Sequence, residues 1–383
     1  MEREPCGDQR ETRHDFPIVA IIDAGCDMKH PDLEGSLWRN SGETDCYDGI
    51  DNDGNGFIDD CYGWDFVDDA PVRHPTSVFN STQGISAKSS LNHGTNLASL
   101  VGSLVDNAQG ITGSCLGRCM VMCLRAVDQG ESVDVDDEEP TKNGNDKSEE
   151  RIVRALRYAY SMGARISTNS YGRKGKPFTE LEKEIKRLSE LDETGILFVA
   201  AAGNEGKNLS RNGEVSPSED AFFPAAAASV GSVIVVGASN RDGQKLSFSN
   251  YGKEVSLFAP GILVAAATAG GGVDFVSGTS VSAPIVAGSA ALIWSLLQEL
   301  SLGQIKHSIV SSVTKSPHLT AYCQAGGVLN TWKAVQLGAE AQLMKHERQN
   351  LSAREEREKV VEAWKPEEEA DEGAENQSNK DSA

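Results

Sequence analysis

No stretch of the chain runs eighteen apolar residues without interruption, so no membrane-spanning helix is expected. The first fifteen residues are charged and lack the apolar run of a secretory signal. Positive charge is scarce: 36 Lys plus Arg face 57 Asp plus Glu, a formal net charge of −21. That balance opposes the counterion-release attraction to nucleic acid and to anionic membranes. No internal repeat and no zinc-type Cys/His spacing is present. No G-x-G-x-x-G follows the first apolar run, where Asp23-Ala-Gly-Cys-Asp27 stands, which argues against a Rossmann nucleotide site.

What is present is enough apolar material, 39% of 383 residues, for a sizeable core. The runs 17–22, 120–124, 195–202 and 232–236 are short, β-rich and unalternating, as strands buried on both faces are. Helical patterns lie between them at 94–105, 149–162 and 178–191, and 280–300 is apolar on nearly all sides, a helix for the interior. This alternation predicts an α/β fold, a doubly wound and mostly parallel sheet with helices on both faces. The expected organisation is an amino-terminal extension (1–15), one α/β domain (16–344) with acidic insertions at 41–70 and 128–150, and a charged, disordered tail (345–383). Each insertion carries ten carboxylates and reads as a surface loop.

The eight cysteines suit disulfides without fixing their connectivity; Cys46 and Cys61 bracket an acidic loop and could pair, while buried thiols are the alternative. Sequons at Asn80, Asn208, Asn350 and Asn376 lean toward secretion.

Peptide hydrolysis by serine requires a nucleophile, a base, a carboxylate that orients the base, and donors for the oxyanion. Asp23 ends a buried strand, where open α/β sheets place their sites, although an Asx-turn would also explain it. His93 opens a helical pattern in Asn92-His93-Gly94-Thr95. Ser280 follows Gly-Thr at the start of the apolar helix, whose free N–H groups and dipole suit an oxyanion; a plain N-cap is the alternative. Asn204 lies just past another buried strand, as a turn residue or a side-chain oxyanion donor.

Four motifs now stand in order: Asp-x-Gly after a strand, His-Gly-Thr-x-x-Ala, Ala-Ala-Gly-Asn-Glu-Gly and Ser-Gly-Thr-Ser-x-x-x-Pro. Together they resemble the subtilisin family over residues 16–339, in the family's chain order of Asp, His and Ser. The resemblance implies a secreted, monomeric serine endopeptidase acting on proteins or peptides, with Asp23, His93 and Ser280 as triad and Asn204 in the oxyanion hole. It maps the cleft walls onto 124–128, with Arg125 and Ala126, and onto 168–172, with Ser170, Tyr171 and Gly172 beside the specificity pocket. It makes Phe223-Pro224 a cis peptide, and implies a signal peptide and a pro-segment or inhibitor as partner. Ala24 replaces the family's Ser or Thr after the Asp, Asn96 a frequent second His, Ser99 a common Gly, and Val281-Ser282 the usual Met-Ala.

Calcium is the one cofactor expected. Asp51, Asp53, Asn55, the Phe57 carbonyl and Asp59 or Asp60 follow the spacing of an EF-hand-like loop, with Tyr62 in place of the closing Glu; a solvated acidic loop is the alternative. Parasite-type subtilisins resemble this run and the following Tyr62-Gly-Trp-Asp-Phe66. The family resemblance adds a second site made by Asp32, Asn107 and the carbonyls of Val105, Gln109 and Ile111, against a plain helix-ending turn. Two functions compete: an active endopeptidase, and an inactive calcium-dependent binding module, which Ala24 and the short amino-terminal segment favour. The second insertion, after a cleft wall, is expected to favour basic residues upstream of the cleaved bond.

Overall fold

The computed structural model describes residues 16–72, 85–127, 147–209, 222–225, 228–229 and 231–363. The chain divides at Ala339 into two compact units, 1–339 and 340–383.

The first unit opens with β1 (Ile18–Asp23), β2 (Trp64–Asp65), β3 (Ala70–Pro71), α1 (Ile85–Gly102), β4 (Met120–Arg125), α2 (Lys147–Ser161), β5 (Ala164–Asn169), β6 (Arg173–Lys174) and α3 (Thr179–Ser189). It continues with β7 (Leu197–Ala201), β8 (Phe222–Phe223), β9 (Val233–Ser239), β10 (Leu257–Pro260), β11 (Val264–Thr268), β12 (Gly272–Val276), α4 (Thr279–Leu296), α5 (Leu302–Ser311), β13 (Thr314–Lys315), β14 (Gly327–Val328) and the start of α6 (Thr331–Ala363).

Ten strands form one sheet in the order β13-β14-β10-β9-β7-β5-β1-β4-β2-β3, parallel from β14 through β2 with antiparallel additions at both edges. Helices α1 and α4 pack on one face and α2 on the other, with α3 against α2, which is the doubly wound architecture expected. Strands β1, β7 and β9 are buried on both faces because Val, Ile, Leu and Ala fill both sets of alternate positions. Among the described residues α4 alone is long and apolar enough to cross a membrane, yet most of it is buried inside the unit.

Three expectations change. The first insertion is not wholly a surface loop: its end supplies β2, paired with β4, and buries Asp60, Cys61, Trp64 and Phe66. The second lies outside the described residues over 128–146, and its last residues open α2 with Ser148 and Glu149 buried. The tail is helical, not disordered, from 345 to Ala363, because its Ala, Glu, Arg, Lys and Gln residues are strong helix formers and Arg354 pairs with Glu358 one turn on. Residues 364–383 are outside the described residues.

Candidate active site

Asp23 leaves β1 at the carboxyl edge of the sheet and is 4% exposed. His93 reaches it from α1, and Gly94 makes the approach possible: a Cβ there would lie 1.8 Å from the Gly25 carbonyl oxygen. His93 Nδ1 donates to Asp23 Oδ1 at 2.8 Å, and the ring is still 34% exposed. Burial alone pulls the imidazole pKa down, but the charge of Asp23 and its hydrogen bond outweigh burial and hold it above the ordinary value. Ala24, whose missing hydroxyl is the nearest departure from the family pattern, forms an isolated bridge with Arg125.

Ser280 is the second residue of α4. The helix N-cap is Gly278, with no side-chain cap, so the simple N-cap reading of Ser280 does not hold. Gly278 has φ +149, and a Cβ placed on it would sit 2.9 Å from Ser280 Oγ and 3.8 Å from Asn204 Nδ2. Asn204 and Ser280 therefore face one small space over Gly278. Asn204 Oδ1 accepts from Thr279 N at 2.9 Å and from Thr279 Oγ1 at 3.0 Å, which leaves its Nδ2 as the outward donor. Pro284 lies inside α4 without an N–H for the carbonyl four residues back, that of Ser280; Ser170 Oγ donates to this carbonyl at 3.1 Å. Ser170 is thereby tied to the backbone of Ser280, a link the sequence did not suggest.

Of the other residues mapped to the cleft walls, Arg125, Ala126 and Tyr171 are buried. Arg125 is buried, its Nη1 2.7 Å from Asp65 and 2.6 Å from Asp68, and Ala126 is fully buried with its N–H on the Asp23 carbonyl at 2.9 Å. Tyr171 turns inward and donates to Asn169 Oδ1 at 2.9 Å. Gly172 packs against the Phe222 ring, and the Phe223–Pro224 peptide is cis. The unusual Asn96 and Ser99 grip the β11 edge: Asn96 Nδ2 donates to Ala267 O at 2.6 Å, and Ala267 N donates to Ser99 Oγ at 3.0 Å. Ser282 Oγ donates to Pro260 O at 3.0 Å, and Val281 packs with Leu100 and Ala266.

In the acidic insertion, Asp51 is a turn former: its oxygens accept from the N–H groups of Gly54, Asn55 and Gly56, the Gly56 bond foremost in holding its pKa low. Asp59 takes the Gly49 N–H, and the Phe57 ring packs on Trp64 and Tyr158. The carboxylates that converge are Glu43, Asp53 and Asp60, each offering an oxygen within 4.8 Å of the others. Glu43 was missed because it precedes the spaced run; the Cys46–Cys61 disulfide closes the insertion into a loop that contains Asp53. Glu43 is 2% exposed, and its Oε2 has no hydrogen-bond partner. Burial, with mutual repulsion, raises the pKa of Glu43 and Asp60. Asn40 and Asn55 amides and the Tyr158 hydroxyl donate into the cluster. An orphaned carboxylate oxygen among three such groups fits a hard cation.

At the second expected site, Asp32 is fully buried; Asn107 Nδ2 reaches its Oδ1 at 2.7 Å and Ile111 N its Oδ2 at 2.8 Å. The Gln109 N–H bonds Asn107 Oδ1, and Gly110 closes over Asp32 at φ +53. Val105 is exposed at the rim. Disulfides also join Cys26 to Cys123 and Cys115 to Cys119, and Cys323 is a buried thiol.

A family model described as the Subtilase family matches residues 15–331. A thermophilic serine proteinase of Bacillus sp. (strain AK1) is 30% identical over 317 residues, 83% of this chain and 61% of that protein. Subtilisin-like protease 1 of Plasmodium berghei (strain Anka) is 26% identical over 326 residues, 83% of this chain and 49% of that protein. Thermitase of Thermoactinomyces vulgaris is 26% identical over 319 residues, 83% and 88%. The chain thus spans about half to three fifths of the first two relatives. A solved cold-adapted subtilisin-like serine proteinase shares the fold with a TM-score of 0.55 at 22% identity, covering 81% of this chain and 89% of that one.

Proposed function

Because the chain belongs to the subtilase family, we propose that it is a serine endopeptidase in which Ser280 is the nucleophile, His93 the base, Asp23 its orienting carboxylate and Asn204 an oxyanion donor. The observation that carries this reading is the 2.8 Å bond between His93 Nδ1 and Asp23 Oδ1, because it leaves Nε2 as the free ring nitrogen that a serine proton needs. Ser280 Oγ attacks the peptide carbonyl while His93 takes its proton, and His93 returns that proton to the leaving amine. Asp23 keeps the imidazole in the useful tautomer and stabilises its charged form. The developing oxyanion lies between Asn204 Nδ2 and the main-chain N–H at the start of α4. Water then repeats the sequence on the acyl-enzyme.

Calcium is proposed at two places: Glu43, Asp53 and Asp60 in the insertion, and, as the family resemblance implies, Asp32 with Asn107 and the carbonyls of Val105, Gln109 and Ile111. A bound ion would neutralise the clustered carboxylates and cross-link the loop, and it takes no part in bond cleavage. The three disulfides among the described residues support a secreted or secretory-pathway protein.

The test is labelling of the folded, calcium-loaded protein by a fluorophosphonate probe. Labelling that disappears in Ser280→Ala supports the reading. No labelling of a protein shown to be folded would refute it and favour the inactive binding module.

A further inference from the structure

The loop that carries Asn204 is held from a second side, which the mechanism above does not use. Asn250 is fully buried and every one of its polar groups is engaged. Its Nδ2 donates to Ala202 O at 2.9 Å and to Glu205 Oε2 at 2.5 Å, and its Oδ1 accepts from Lys207 N at 2.8 Å. Its own N–H donates to Gly203 O at 3.0 Å. These partners bracket Asn204 on both sides along the chain.

We propose that Asn250 is a positioning residue: its clamp on 202–207, together with Thr279 gripping Asn204 Oδ1, fixes the direction of Asn204 Nδ2 and so sets the strength of the oxyanion hole. The site needs two donors, for a carbonyl and a carboxylate, and one acceptor, for an N–H. An amide supplies that set; Asp supplies acceptors only, and Ser one donor. The loop bearing Asn250 is stiffened in turn by Lys245, whose Nζ donates to Leu246 O at 2.8 Å and Ser249 O at 2.9 Å and lies 5.0 Å from the centre of the Tyr251 ring. The Gly206 N–H, bonded to Phe248 O at 2.6 Å, ties the two loops together once more.

The inference rests on Asn204 being an oxyanion donor, and a double-mutant cycle separates the two. A peptide anilide gives kcat and KM, and a peptide boronate, which forms a tetrahedral adduct on serine, reports the oxyanion hole by its inhibition constant. Asn250→Asp is expected to lower kcat by about tenfold, leave KM within about twofold and weaken the boronate in parallel. In an Asn204→Ala background the same substitution is expected to change kcat by less than about twofold. An equal loss in both backgrounds, or a change confined to KM, overturns the proposal. If Asn204→Ala alone leaves kcat and boronate affinity unchanged, the oxyanion reading itself fails. Should Asn250→Asp not fold, Lys245→Met loosens the same loop from its half-buried end. It is expected to lower kcat by about threefold only where Asn204 is present, and an equal loss without Asn204 again overturns the proposal.

Discussion

Gly94→Ala adds one methyl group at the tightest point of the candidate site. In an ordinary helix interior this change stabilises by about 1 kcal/mol. Here the new Cβ would start 1.8 Å from the Gly25 carbonyl oxygen, whereas real Cβ atoms essentially never come closer than 3.0 Å. The atom it meets is backbone, packed between α1 and the end of β1, and cannot swing aside. The middle of α1 must therefore recede by more than an ångström, carrying His93 with it. A bond now 2.8 Å long stretches toward ~4 Å, beyond hydrogen-bonding range. Overpacking of this kind costs about 1–3 kcal/mol, so the expected net loss of stability is up to about 2 kcal/mol after the helix gain. The functional loss is larger, about a hundredfold for a base displaced by an ångström. Thermal unfolding and the second-order rate of fluorophosphonate labelling measure the two effects. A variant that melts higher than the parent and labels at the parental rate would refute the reasoning.

Two further outcomes are expected. His93 must be neutral to accept the serine proton, and Asp23 outweighs burial to hold its pKa above 6.5; activity therefore falls as pH drops through that raised value, and in Asp23→Asn the acid limb moves to lower pH because only burial remains. A pH–rate profile with the same acid limb in both proteins would contradict this. Calcium should raise the melting temperature of the parent by more than that of Glu43→Gln, whereas in a chelator the variant should be at least as stable, because one of three crowded carboxylates has lost its charge. Equal calcium shifts in the two proteins would remove Glu43 from the site.

Strands β1, β4, β7 and β9 were legible because parallel strands covered on both faces read as unbroken apolar runs. β5 was not, since Ser167, Thr168 and Asn169 are polar yet fully buried, their surroundings supplied by distant segments. Asn169, for instance, donates to the Val199 carbonyl, thirty residues on. The start of α1 at Ile85 instead of 94 was hidden by a Ser- and Lys-containing stretch with no apolar stripe. The positions of Asp23, His93, Asn204 and Ser280 could be picked out because each sits in a short motif with its own backbone requirement. Sequence alone did not reveal the burial of Arg125 against Asp65 and Asp68, because those partners come from an insertion some sixty residues earlier. Glu43 was invisible for the same reason: only the folded loop brings it to Asp53 and Asp60.

The first strand among the described residues is not at an edge of the sheet. β1 lies between β4 and β5, and its nearest partner begins about a hundred residues downstream, at Met120. A chain that emerges from its amino terminus must keep this apolar strand from pairing wrongly while those residues are made, and such non-local parallel topologies fold slowly. On the proposed reading, Asp23 and Ser280 meet only when α4 has packed on β5, β7, β9 and β10. On the proposed mechanism, the partly folded chain can be cut well before it can cut.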